Sequence, residues 1–204
     1  MTKFRLAIVA TAFTALIGLA VANWYITLHR QHGQSSTVID AKLEPGGPFT
    51  MVDQNGNPVT EAMLKGKWTA VFFGYTYCPD YCPFTLQSLA AVQKKLGDKG
   101  KNFQIVFVTI DPARDTPANL KAYLSSGGMP KDTIGLTGTQ AQVDKIAKEY
   151  RTMIQRTGSG DTYSFQHGTA VYLMDPHGIY NSAYTYDLGA DTMTKLIKDA
   201  MADR

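Results

Sequence analysis

The chain carries two cysteines, both in the segment Cys78-Pro79-Asp80-Tyr81-Cys82-Pro83, and no others. Any thiol chemistry is therefore confined to one place. Two thiols this close serve as a redox pair, as two soft metal ligands or as one structural disulfide, and spacing is the first discriminator. Thioredoxin-type redox motifs place their cysteines three apart. Four apart, in helical or turn geometry, puts both sulfurs on one side at about 6 Å along the axis, which permits a disulfide and equally permits both sulfurs to flank one ion.

Two thiolates do not complete most metal sites, so further ligands are sought among His29, His32, His167 and His177. His167 is the candidate, in Tyr163-Ser164-Phe165-Gln166-His167-Gly168 at the entrance to an apolar strand; in a thioredoxin-like layout that entrance lies beside the cysteine loop. His177 sits in a Pro-His-Gly turn and reads as exposed, and His29 and His32 lie in a polar stretch. Two Cys and one His suit copper: the thiolates satisfy Cu(I), and the imidazole admits Cu(II). Structural zinc needs a fourth protein ligand, and no third cysteine exists. Met51, Met129 and Met153 could add thioethers, although methionine more commonly fills core space. A helix starting near Pro83 directs amides toward Cys82 and favours a thiolate there. Asp111, in Asp111-Pro112-Ala113-Arg114-Asp115-Thr116-Pro117, follows a buried strand where carboxyl ends of strands present functional groups, and it is also a common turn residue before proline. Arg114 and Asp115 read as a local ion pair or helix cap.

The elements that position these residues follow from periodicity. Residues 49–59 read as a hairpin about an Asn-Gly turn. Residues 68–75 (WTAVFFGY) form an apolar strand ending at the cysteines, and Leu86, Leu89, Ala90, Val92 and Leu96 recur at helical spacing up to Gly97. Residues 103–110 (FQIVFVTI) are a second buried strand. Thr116-Pro117 opens a helix through Leu124, residues 134–137 form a short strand, and a helix runs from Thr139 or Gln140 to Tyr150. Strands at 169–174 and 180–184 and a helix at 191–201 close the chain. This alternation predicts an α/β domain, a mixed sheet covered on both sides, with the look of a thioredoxin fold.

Residues 6–28 contain no Asp, Glu, Lys or Arg and as a helix would cover about 34 Å, enough for a hydrocarbon core of ~30 Å. Lys3 and Arg5 precede the run, so residues 1–28 read as an N-terminal membrane anchor with the rest of the chain across the membrane. The competing reading is a cleaved signal peptide ending at Ala20-Val21-Ala22, but the apolar run continues through Trp24, Tyr25, Ile26 and Leu28. So short a leading segment excludes an Arg-rich transit peptide, and the expected location is a bacterial inner membrane, single-pass, with the domain in the periplasm. Residues 29–42 read as a flexible tether, and residues 43–204 as one domain. The net charge of +3, without basic clusters interleaved with aromatics, argues against a nucleic-acid partner.

Residues 72–83 (FFGYTYCPDYCP), 108–117 (VTIDPARDTP), 135–139 (GLTGT) and 163–178 (YSFQHGTAVYLMDPHG), in this order, resemble the Sco/SenC family of copper-handling assembly factors for cytochrome c oxidase. The resemblance runs from about Gly46 to the C-terminus, and four motifs in one order are far more specific than C-x-x-x-C alone. It implies a thioredoxin fold, copper held by Cys78, Cys82 and His167, and Asp111 as a supporting or transfer residue. It also implies delivery to, or thiol reduction of, the binuclear copper centre of an oxidase subunit, with another copper chaperone or a thioredoxin-like reductant as further partners. Where the family often has Asp before the histidine and Ser or Thr after it, this chain has Gln166 and Gly168, which bears on how His167 is oriented.

Two functions compete for the same sulfurs: a copper chaperone, and a thiol-disulfide oxidoreductase acting on an oxidase subunit or another periplasmic protein. His167 separates them, because a reductase has no need of an imidazole ligand. Thioredoxin-like reductases also normally set a cis-proline against the dithiol, where this chain has Gln166-His167-Gly168. A peroxiredoxin would carry Thr three residues before its reactive cysteine, but Tyr75 and Pro79 occupy those positions.

Overall fold

The computed structural model describes residues 44–202. The anchor at 1–28 and the tether at 29–42, with His29 and His32, lie outside them. Among the described residues no helix is long and apolar enough to cross a membrane.

The hairpin of β1 (Thr50–Asp53) and β2 (Pro58–Thr60) closes on Asp53, whose carboxylate accepts the Asn55 and Asn57 amides at 2.8 Å each, while Gly56 takes φ +87°. That positive φ is the backbone state the Asn-Gly turn needs. β3 (Trp68–Gly74) and β4 (Phe103–Thr109) run parallel in register, and every residue of β3 is buried. Such uninterrupted apolar strands require cover on both faces. With β5 (Ile134–Thr137), β8 (Val171–Met174) and β9 (Tyr180–Tyr184) they form a seven-stranded mixed sheet in the order β2-β1-β5-β4-β3-β8-β9. β4 pairs parallel with β3 and β5, and the other contacts are antiparallel.

Helix α1 (Tyr81–Leu96) follows β3 and stops at Gly97, φ +58°. It buries Leu86, Leu89, Val92 and Leu96, the apolar stripe seen in the sequence, and α4 (Gly189–Ala202) packs beside it. Helix α2 (Pro117–Leu124) is capped by the Thr116 hydroxyl, with proline at its first position, and α3 (Gln140–Glu149) by a reciprocal box between Thr139 and Gln142. The sheet divides the core. On one face Phe72, Phe107 and Tyr123 pack ring to ring; on the other Phe73 meets Tyr150 and Tyr172. Each such side chain contributes about 1.5–3 kcal/mol on full burial.

One element escapes the periodicity. β6 (Ile154–Thr157) and β7 (Ser164–His167) form a separate two-stranded hairpin, placing His167 on a strand and not in a loop. Its residues are half-buried or exposed, so no apolar alternation announces it.

Candidate metal centre

β3 delivers the chain to the centre, and α1 carries it away. Between them the segment 75–80 turns back on itself through the Cys78 amide, which donates to the Tyr75 carbonyl at 3.2 Å. Cys78 is half-buried ahead of the helix, whereas Cys82 lies inside its first turn and is fully buried; both are free thiols. Gly74 makes room for the second sulfur: a Cβ there would sit 2.7 Å from Cys82 Sγ and 2.8 Å from the Phe107 ring. Only glycine permits so close an approach.

The hairpin brings His167 over this pair. Its Nε2 lies 3.6 Å from Cys82 Sγ, and Nδ1 is 2.9 Å from the Gly168 carbonyl. A carbonyl can only accept, so Nδ1 carries a hydrogen, and Nε2 is the ring atom turned toward the sulfurs. The orienting bond thus comes from the backbone of residue 168, and the change to Gln166 and Gly168 leaves it in place. Rings of Phe72 and Tyr75 stand at 6.3 and 6.0 Å from the imidazole and limit its rotation.

The three donor atoms lie within 4.8 Å of one another. Ligands across one ion at ~2.3 Å are at most ~4.6 Å apart, so the set fits a single metal with little movement. The thiols are not equivalent. Pairing with the Cys82 side chain is the main reason the Cys78 pKa falls to about 4; burial opposes this, and the His167 ring and the backbone amides of Cys82 and Asp80 support it. The same pairing, then burial, then the charge on Cys78 push Cys82 far above the ordinary thiol range. The thiolate therefore falls at Cys78, not at Cys82 as expected from the sequence, chiefly because Cys82 is the more deeply buried of the pair, with the Asp80 and Cys82 amides adding to the preference.

Asp111 touches neither cysteine nor His167 in any described hydrogen bond. Its carboxylate accepts from the Arg114 Nε and, at 2.8 Å, from the Tyr163 hydroxyl. Arg114 also donates through Nη1 to the Tyr163 carbonyl at 3.2 Å, and its guanidinium lies 4.7 Å from the centroid of the Tyr77 ring. These contacts clasp three pieces: the turn after β4, the cysteine loop and the hairpin bearing His167. Asp115 is not the partner of Arg114, and Thr116 provides the helix cap. Asp115 turns inward, accepting from the Thr76 amide at 3.0 Å and from the Thr76 and Thr109 hydroxyls at 2.6 Å each, so it ties the cysteine loop to β4. Burial outweighs these bonds and raises its pKa. Sequence reading missed Tyr75, Thr76 and Tyr163; the only available signal was that each lies two to four residues from a ligand.

A cleft of about 320 Å³ opens onto Cys78 and His167, lined also by Tyr75, Tyr81, Met153 and Phe165 among others. His177 is exposed in its turn and takes no part, and Met51 is fully buried in the core.

A family profile described as SCO1/SenC matches residues 39–202. Mitochondrial protein SCO2 of Saccharomyces cerevisiae is 41% identical over 142 residues, 68% of this chain and 46% of its own length, so the chain spans about half of that relative. The structure of Bradyrhizobium japonicum ScoI with copper bound aligns at a TM-score of 0.69 with 36% identity, over 76% of this chain and 98% of that one. A protein called BsSco, described as having a disulfide switch and as a member of the Sco family of cytochrome c oxidase assembly proteins, aligns at 0.63 with 25% identity, over 77% and 93%. With its thioredoxin-like α/β fold and its Cys78, Cys82 and His167 cluster, the chain belongs to the SCO1/SenC family.

Proposed function

We propose that this chain binds one copper ion through Cys78, Cys82 and His167 and delivers it to, or helps mature, the binuclear copper centre of a cytochrome c oxidase subunit. The observation that carries this reading is the convergence of two sulfurs and one imidazole nitrogen within 4.8 Å, with no carboxylate among them. Soft thiolates suit Cu(I), and an imidazole whose Nε2 faces the sulfurs suits Cu(II). Copper here is cargo, held and released. Asp111 acts in this reading through Arg114 and Tyr163, by keeping the hairpin closed over the cysteine loop. Metal analysis of the purified full chain, after anaerobic reduction and copper loading, should give one copper per chain, with loss in Cys78→Ser and weakened Cu(II) binding in His167→Ala. Copper retained when both cysteines are replaced would refute the assignment.

A second reading, thiol-disulfide exchange on an oxidase subunit or another periplasmic protein, rests on the asymmetry of the thiols. A half-buried thiolate beside a buried thiol is the arrangement of an attacking and a resolving cysteine. His167→Ala separates the two, since exchange needs no imidazole: oxidase assembly under limiting copper should fail in that variant if copper handling is the role, and persist if reduction is.

The same reading places the domain in the periplasm of a bacterium, held by residues 1–28 in the inner membrane. Carbonate-resistant membrane association and an intact N-terminus bearing Lys3 and Arg5 are the expected outcomes; an N-terminus at Asn23 would identify a cleaved signal peptide instead.

A further inference from the structure

Seven of the eight methionines lie among the described residues, and six of them fill space. Met51, Met174 and Met193 are buried, and Met63, Met129 and Met201 pack partly buried against the core. Met153 alone among these is exposed, at 62%. A single exposed apolar side chain is ordinary on a protein surface. This one, however, lines the cleft that opens onto Cys78 and His167. It stands just before β6, outside the pleat. Its carbonyl accepts the Gly168 amide at 3.0 Å, and its neighbour Ile154 pairs with His167 across the hairpin. The backbone bond that fixes Met153 thus belongs to the residue whose carbonyl orients the His167 ring.

The donors present a gradient of access. Cys82 is wholly buried, Cys78 and His167 are half-buried, and Met153 is in solvent. An ion coming from outside reaches the cleft wall before it reaches Cys82. We propose, on the basis of the copper reading above, that the Met153 thioether is a transient Cu(I) ligand on the path into and out of the three-donor site. A thioether is soft, neutral and without a proton to lose, and it binds Cu(I) less firmly than a thiolate does, so it can catch the ion and give it up. In uptake, a copper–thioether bond forms as one ligand of the donor leaves. The thiolates of Cys78 and Cys82 then displace the thioether and the remaining ligands of the donor, which leave into solution, with any thiol proton passing to water. Copper stays Cu(I) throughout, and Met153 returns unchanged.

A ligand used only in passage alters rates and leaves the equilibrium alone, which distinguishes this role from packing. The test uses the purified, reduced full chain and a coloured Cu(I)–bathocuproine complex as donor, followed by stopped flow. Met153→Leu, which keeps size and apolarity, should slow uptake and release alike by about tenfold with the same final affinity. In a second arm, selenomethionine-labelled Cys82→Ser chain, in which the last displacement is blocked, should show copper–selenium scattering in X-ray absorption, lost when Met153→Leu is added. Unchanged rates in Met153→Leu, a changed affinity with uptake and release altered unequally, or no copper–selenium signal overturns the proposal. Failure of the unmodified chain to take up any Cu(I) overturns the copper reading itself, a different result.

Discussion

The guanidinium carbon of Arg114 lies 3.8 Å from the centroid of the Tyr163 ring, and that of Arg156 lies 3.7 Å from the same ring. Two cations that close to one ring occupy its opposite faces, so Tyr163 is gripped from both sides. Its hydroxyl and carbonyl are held as well, by Asp111 and Arg114. Tyr163 stands at the base of the strand that ends in His167, and Arg114 also lies 4.7 Å from the Tyr77 ring, one residue before Cys78. The clasp therefore connects the two halves of the candidate metal centre without touching a ligand.

Arg114→Ala is expected to loosen the hairpin and weaken Cu(II) binding by about tenfold, as the loss of groups that orient ligands commonly does. Lysine should not rescue it, because an ammonium cannot stack flat on Tyr163 while bonding Asp111. The effect should depend on the imidazole: in a His167→Ala background, Arg114→Ala should cost little more. Competition titration of the four chains in a double-mutant cycle measures this.

The two thiols should differ in reactivity. With the Cys78 pKa at about 4, its thiolate persists at every pH above that value and is lost only as pH falls through it. Iodoacetamide at pH 6 should label Cys78 in the reduced, metal-free folded chain, with labelling declining below about pH 4. Cys82, buried and with its pKa raised, should label only on unfolding. Mass spectrometry of the digest resolves the two sites.

Gly74→Ala should damage site and stability together. The added methyl would meet Cys82 Sγ and the Phe107 ring inside 3.0 Å, between a strand paired on both edges and the first turn of α1. Overpacking of this kind costs about 1–3 kcal/mol, read as a lower urea midpoint, and displacement of Cys82 should lower copper stoichiometry in the same sample.

Asp115→Ala removes one acceptor from three donors, two of them on Thr76 and one on the buried Thr109. A loss of about 2–4 kcal/mol follows from stranding hydrogen-bonding groups of a charged network. Urea unfolding followed by circular dichroism measures it, and Asp115→Asn, which can still accept some of these bonds, should lose less.

Much of this architecture is written in local pattern. The buried strands β3, β4 and β8 are runs of Phe, Val, Ile and Leu, and α1 shows its stripe from Leu86 to Leu96. The ends of α2 and α3 are marked by Thr116-Pro117 and by Thr139 with Gln142. These features depend on nearest neighbours and period, which a single chain displays directly. The cysteine pair was equally visible, because two rare residues sit close in sequence. The hairpin β6–β7 was not, since none of its residues is fully buried and contacts from distant segments hold it down. Nor was the part played by Arg114, which reads as forming a local ion pair or helix cap with Asp115 and is bonded to Asp111 and Tyr163 instead. Only the tertiary structure decided which thiol is the thiolate, how His167 is oriented and what closes the hairpin over the cysteines. Each of those depends on distances between residues far apart along the chain: 85 positions between Cys82 and His167, and 52 between Asp111 and Tyr163. Sequence spacing carries no information about such distances until the sheet has brought the strand ends together.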